Sequence, residues 1–324
     1  MRLGWWRGRS NFFLEFTENM VYITTMEGIL LMSNSNFLIF NRVFSRNTLN
    51  AFINSYTPTP YVVAIKRSSI DPNNKENKKI ISEIYHYMVN NYRNEYIYKN
   101  TLLNNLLFFE EKYSIDDTTA LTEIIVGRSK ADFVLINGNA EVYEIKTELD
   151  NFDRLESQIH DYYKAFARVN IVTSPDKYDV LKNILSDSKI GMYILDKELN
   201  IIEMRKVKNE KKYLDTKTIF KILRKKEYEN ILLNNYGELP FVSQFDYYKE
   251  CLKKFEEISL KKMYPLFLAE LRKRCCIQKS YFAALPNSIN SLVYFSNIKK
   301  TDFEKLSFFL ESTYSGGQYV LSLS

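Results

Sequence analysis

With 324 residues, 45% of them hydrophobic, the chain has enough apolar material for one large or two modest packed domains. Its net charge of +6 is mild but uneven: from 201 to 280 there are 19 Lys plus Arg against 11 Asp plus Glu, a net +8 that leaves −2 elsewhere. No stretch approaches the roughly 18 uncharged apolar residues that span a bilayer, and the opening lacks signal-peptide order, so a cytoplasmic protein without membrane contact is expected.

The first region, 1–77, is expected to be a partly helical extension. Residues 1–31, with Trp5-Trp6, keep no sustained period, and Met20, Met26 and Met32 leave open a natural start inside the region. Phe37 to Asn54 has helical apolar spacing. Thr57-Pro-Thr-Pro60 and the polar run after Asp71 are expected to interrupt any regular element.

The second region, 78–204, opens with Ile80, Ile81, Ile84, Tyr85, Met88 and Val89 at helical spacing. Three short β-branched runs follow at Leu121 to Val126, Phe133 to Ile136 and Val142 to Ile145, which predict three successive strands. A helix is expected over Asn151 to Arg168 and a strand over Val169 to Val172, then a helix from Pro175 to Leu185 and strands at Gly191 to Leu195 and Ile201 to Met204. This alternation indicates an α/β fold with a mixed sheet. The third region, 205–324, reads as mainly helical, with apolar spacing at Thr218 to Leu223, Phe245 to Phe255, Tyr264 to Leu271 and Phe303 to Leu310. Cys251 stands alone and Cys275-Cys276 are adjacent, so neither a CxxC pattern nor a disulfide framework is visible. His86 and His160 alone do not make a His-rich zinc site, and His160 reads as a surface residue.

The chemistry concentrates at Asp132, Glu144 and Lys146, spaced D-x11-E-x-K. Glu144 and Lys146 are two residues apart on one strand and share a face. The turn Asn137-Gly138-Asn139 carries a hairpin signal that would fold Asp132 back beside Glu144. Side-by-side carboxylates need a positive neighbour, and the candidates are Lys146 and a divalent cation. Oxygen ligands of this kind suit Mg²⁺ or Mn²⁺, which would activate water and offset phosphate charge. Lys146 can hydrogen-bond that water or the phosphate. The alternative is a solvated ion pair on a surface hairpin, but Tyr143 and Ile145 interleave with the charges and mark a strand covered on both sides. Arg154, one turn before Gln158, is a candidate phosphate contact or a partner of Asp150. The basic segment after Ile201 suits a polyanionic substrate.

Helix, three strands, helix and strand, with Asp opening the second strand and Glu-x-Lys on the third, resembles the PD-(D/E)xK nuclease superfamily over residues 78–173. Ala131 stands where the family's proline would be. Gln158 and Tyr162 form the Q-x3-Y pair of the RecB-like subgroup, and the stretches R-S-K-A-D, Y-E-I-K-T-E-L-D and R-L-E-S-Q-I-x-D-Y are similar to an uncharacterised bacterial nuclease-like family. The resemblance implies an αβββαβ restriction-endonuclease-like core and makes Asp132 and Glu144 metal ligands and Lys146 catalytic. It also implies that Gln158 and Tyr162 contact DNA beside the site. A further acidic ligand is expected at Glu123, which is preferred, or at Glu83 on the preceding helix.

The expectation is therefore a metal-dependent DNA nuclease, in phage defence, a mobile element or DNA repair, with a basic helical C-terminal region that grips nucleic acid, a partner protein or a second copy. The rival is a nuclease-fold protein that binds nucleic acid or regulates without turnover.

Overall fold

The computed structural model describes residues 13–17, 20–24, 38–109, 117–186, 189–275 and 279–316; Trp5-Trp6, Met26 and Met32 lie outside them. The fold is mixed α/β. Strands β1 (Phe13–Thr17) and β2 (Met20–Thr24) pair as an antiparallel hairpin. Helices α1 (Arg46–Ile53), α2 (Thr59–Arg67), α3 (Asn77–Asn91) and α4 (Glu95–Leu103) precede the main sheet. Its strands are β3 (Thr119–Leu121), β6 (Phe133–Ile136), β7 (Ala140–Lys146), β8 (Arg168–Thr173), β9 (Gly191–Leu195) and β10 (Ile201–Arg205), in the order β10-β9-β8-β7-β6-β3. The pairs β7/β8 and β8/β9 are parallel and the rest antiparallel. Helices α5 (Leu155–Tyr163) and α6 (Pro175–Ile184) connect the parallel strands. The C-terminal region is helical: α7 (Thr216–Ile222), α8 (Lys225–Tyr236), α9 (Gln244–Glu257), α10 (Leu260–Arg272), α11 (Asn290–Ser296) and α12 (Lys300–Glu311).

Strand β7 is central and buried at every position, and the period of two sorts its side chains onto two cores. Tyr143 and Ile145 join Phe133 and Leu135 in a core that also takes in Phe40 and Phe52, before 78, and Phe303 and Leu306, after 204. Val142 joins Val134 and Ile136 on the opposite face, against Leu155 and Tyr162 of α5 and Phe220 and Phe255 of the C-terminal helices. All three sequence regions thus build the first core. Phe52 stacks on Phe309 with ring centroids 4.6 Å apart. Beside them the buried Asn77 amide donates to the carbonyls of Phe309 at 3.1 Å and Ser312 at 3.0 Å, and its own oxygen accepts from Tyr61 at 3.0 Å.

Four features depart from the expectations drawn from sequence. The expected strand Leu121 to Val126 is broken at Glu123, whose φ of +60° turns the chain. Beyond it, β4 (Ile124–Val126) pairs with β5 (Ser129–Ala131) as a separate ribbon around Gly127. Gly127 also has positive φ, and a Cβ there would meet the Asp161 carboxylate at 2.8 Å. Thr57-Pro58 fall in the expected break between α1 and α2, but the second half of that run does not interrupt: α2 starts at Thr59 with Pro60 in its first turn, where a missing N–H costs no hydrogen bond. The helix expected over Asn151 to Arg168 is confined to Leu155–Tyr163. The run Phe37 to Asn54 is split where Ser45 accepts from the Thr48 N–H and caps α1. Among the described residues, no helix is long and apolar enough to cross a membrane.

Asn77 ties the start of α3 to the end of α12. Asn77→Ala should cost about 2 kcal/mol, because it leaves buried carbonyls without donors. Thermal unfolding should show a midpoint lowered by several degrees; an unchanged midpoint would show that the clasp contributes nothing.

Candidate active site

Asp132 immediately precedes β6 and has the parity of Val134 and Ile136, so it faces the same side of the sheet as Glu144 and Lys146. Pairing of Phe133 with Tyr143 brings the start of β6 beside the end of β7. There the Ile145 N–H, beyond the reach of β6, donates to Asp132 Oδ2 at 2.9 Å. The side chain of Asp132 thus continues the ladder that its own strand has left.

Glu144 is 1% exposed and is satisfied by three donors. Lys146 Nζ at 2.9 Å and Gln158 Nε2 at 2.5 Å donate to Oε1, and the Tyr162 hydroxyl donates to Oε2 at 2.6 Å. Lys146 also donates to Gln158 Oε1 at 2.9 Å. Gln158 and Tyr162, four residues apart on α5, therefore reach the same carboxylate, as helical spacing allows. The Tyr162 hydroxyl also lies 2.9 Å from the Lys130 carbonyl of β5. Burial, and then the Glu144 charge, push the Tyr162 phenol far above its ordinary value, so it stays a hydrogen-bond donor.

A second group of acids meets Asp132. Glu95, at the first turn of α4, and Glu123, at the kink before β4, each place a carboxylate oxygen within 4.8 Å of one another and of Asp132. Lys99 bonds to Glu95 at 2.5 Å and to Glu123 at 2.6 Å, and Lys130 also pairs with Glu123. Burial works against ionisation of Glu123, yet the hydrogen bonds from Lys130 and Lys99 hold its carboxyl below the ordinary range. Asp132 goes the other way. Burial, followed by the charges of Glu144 and Glu95, pushes it up to about 8. A cleft of ≈ 450 Å³ lined by Tyr96, Thr147, Leu149 and Asp150 shares Glu95 and Lys99 with this cluster.

The donor set fits a hard divalent cation. The carboxylates of Glu95, Glu123 and Asp132 converge, and Glu144, buried beside Asp132, is not one of the three. The structure brings Asp132, Glu144, Lys146, Gln158, Tyr162 and Glu123 together. Glu83 is not among them: it pairs with Lys75 at 2.8 Å and lines a recess with Ala283 and Pro286. The helical acid near the site is Glu95, which the sequence reading missed; its one visible signal was the i,i+4 spacing to Lys99 behind the helix cap Asn94. Arg154 is exposed at the start of α5. Asp150 accepts from the N–H and hydroxyl of Thr147, both at Oδ2. Glu148 turns away to Arg93 and Tyr98.

The raised Asp132 value sets a pH dependence. Between the ordinary 3.8 and about 8, the folded chain holds a proton that the unfolded chain releases. Its contribution to stability is full at low pH and is lost as pH rises through that window. In EDTA, Asp132→Asn should therefore raise the thermal midpoint more at pH 9 than at pH 5. Equal shifts at the two pH values would rule out this protonation.

A family described as Bacteriophage P4 protein cII matches residues 88–305, a span that holds Glu95, Glu123, Asp132, Glu144, Lys146, Gln158 and Tyr162. The chain is similar to Protein cII of Enterobacteria phage P4, with 24% identity over 209 residues, covering 61% of this chain and 77% of that protein. Among solved structures it is similar to the SPO1766 protein of unknown function from Silicibacter pomeroyi, at 13% identity and a TM-score of 0.26, over 40% of this chain and 86% of that one. With two thirds of its length inside the matched span, the chain belongs to the Bacteriophage P4 protein cII family.

Proposed function

We propose that the chain is a metal-dependent nuclease of PD-(D/E)xK type that hydrolyses phosphodiester bonds in DNA. The observation that carries this reading is the convergence of Asp132, Glu144 and Lys146 at one end of one sheet face, with Gln158 and Tyr162 both bonded to Glu144. The chain order α4, β3, β6, β7, α5, β8 supports an αβββαβ core of that superfamily.

Bound Mg²⁺ or Mn²⁺ would supply an activated water and neutralise charge on the phosphate. Asp132, Glu123 and Glu95 would hold it, with Glu144 as the further carboxylate that the superfamily resemblance implies. Gln158 and Tyr162 fix the rotamer of Glu144. Lys146, held between Glu144 and Gln158, is placed to orient the attacking water or take up charge on the phosphate. Lys99 and Lys130 add two cations at the rim of the acidic cluster, and exposed Arg154 suits a backbone phosphate. Similarity to a phage protein favours a phage or mobile-element setting over DNA repair, in the cytoplasm.

One observation favours the rival reading, a binding protein on a nuclease scaffold. Ammonium groups already satisfy Glu123 and Glu95, so the acids are neutralised without a metal.

The test is cleavage of plasmid, linear and single-stranded DNA and of RNA with Mg²⁺, Mn²⁺ or EDTA, alongside calorimetric titration of the metal. Asp132→Ala should abolish metal binding and cleavage together. Lys146→Ala should keep the metal and lose about a hundredfold or more in rate. Cleavage that survives EDTA or both substitutions would falsify the metal-site reading, whereas nucleic-acid binding without cleavage under either metal would establish the rival.

A further inference from the structure

The most exposed large apolar side chains among the described residues lie far along the sequence from the carboxylates. Phe241, in the segment joining α8 to α9, is 104% exposed, and Phe245, in the first turn of α9, is 94% exposed. Val242 and Tyr248 are also exposed. Neither phenyl ring contributes to a core cluster. A phenyl left in water forgoes roughly 1.5–3 kcal/mol of burial. Two such rings four residues apart therefore mark a surface that acquires a cover from outside the fold.

The surroundings select that cover. Cations and rings interleave along α8 and α9: Lys225 Nζ sits 5.1 Å from the centroid of Tyr247, and Lys254 Nζ sits 5.4 Å from that of Tyr236. Three of the neighbouring acids are engaged, while Glu238 lies exposed in the segment before Phe241. Asp246 accepts from Ser243, Glu229 accepts from Tyr247, and Glu250 pairs with Lys253. Lys249, one turn beyond Phe245, and Lys226, near the start of α8, have no carboxylate partner among the described residues. A second copy of the chain fits poorly. A two-fold contact would set these lysines against themselves, and lysine is depleted from such interfaces. Exposed rings flanked by free ammonium groups match single-stranded nucleic acid, whose unpaired bases stack on aromatics while its phosphates meet cations. In a duplex the base faces are already stacked and offer the phenyl rings nothing.

We infer that Phe241 and Phe245, with Lys249 and Lys226, form a binding surface for single-stranded nucleic acid distinct from the carboxylate site. The surface has a route to that site through the fold: α9 packs on α7, and α7 packs on β4 of the ribbon that carries Lys130. The inference shares a nucleic-acid ligand with the nuclease reading but does not depend on turnover.

The experiment is an anisotropy titration of the full chain in EDTA with a labelled oligothymidylate and with a duplex of equal length. It compares wild type, Phe241→Ala/Phe245→Ala and Lys226→Ala/Lys249→Ala, with light scattering and thermal melts on each. The phenylalanine variant should bind oligothymidylate at least about tenfold more weakly, with duplex binding and melting unchanged. The lysine variant should lose affinity and show a shallower salt dependence. The inference is overturned if the phenylalanine variant binds as wild type does, or if both nucleic acids weaken equally. It is also overturned if the variant melts lower, because the rings then pack on the protein, or if light scattering shows a wild-type dimer that the variant splits. Loss of cleavage in Asp132→Ala with this binding intact would separate the surface from the nuclease reading.

Discussion

A carboxylate buried in the middle of the molecule sets the terms for everything near it. Glu144 lies on the most protected strand of the sheet, where an ionised group without partners would cost several kcal/mol. The fold meets that cost from three directions: Lys146 from the same strand, and Gln158 and Tyr162 from the helix laid across it. These partners require α5 to cross the sheet at a fixed height and rotation, because two side chains one turn apart must both reach one group. The parallel connection from β7 through α5 to β8 supplies that placement. An apolar residue at 144 would have met the packing demand more cheaply, so the packing of the sheet does not account for this charge.

The site sits where two layers of the protein meet. Asp132, Glu144 and Lys146 face the α5 side, yet Glu95 and Lys99 come from α4, which packs in the opposite core. They meet only because the sheet ends there and β6 stops short of Ile145. Glu123 arrives by a third route, from a residue held in left-handed backbone conformation. Such a conformation is unfavourable for a glutamate, and its two lysine partners hold the side chain in place. Three carboxylates from three unrelated pieces of backbone thus converge on a small volume, and burial first, then the charges of Glu144 and Glu95, raise Asp132 there.

Much of this was legible before any coordinates. Strand alternation put Glu144 and Lys146 on one face, and the Asn-Gly turn folded Asp132 back to them, because both rules are local and strict. The β-branched runs at Phe133 and Val169 marked strands for the same reason. Illegible were the features that depend on tertiary contact. The kink at Glu123 is sustained by lysines from elsewhere in the chain, and nothing in L-T-E-I-I-V announces it. Helix α4 carries polar residues among its apolar ones, and its buried Asn100 is satisfied by Tyr85 and by the Asn287 carbonyl, so its periodicity is blurred. Glu83 and Glu95 are both helical acids ahead of the sheet. Only the packing of α4 against β7 distinguishes them.

The phenol of Tyr162 has two acceptors within reach, the Lys130 carbonyl on the ribbon and the Glu144 carboxylate, and a single hydrogen to give. The two claims compete. One hydrogen cannot serve both acceptors fully, so how the β4–β5 ribbon sits and how Glu144 is hydrogen-bonded are tied to the same phenol. Through this one side chain of α5, the ribbon that carries Lys130 at the surface is joined to the carboxylate buried in the sheet.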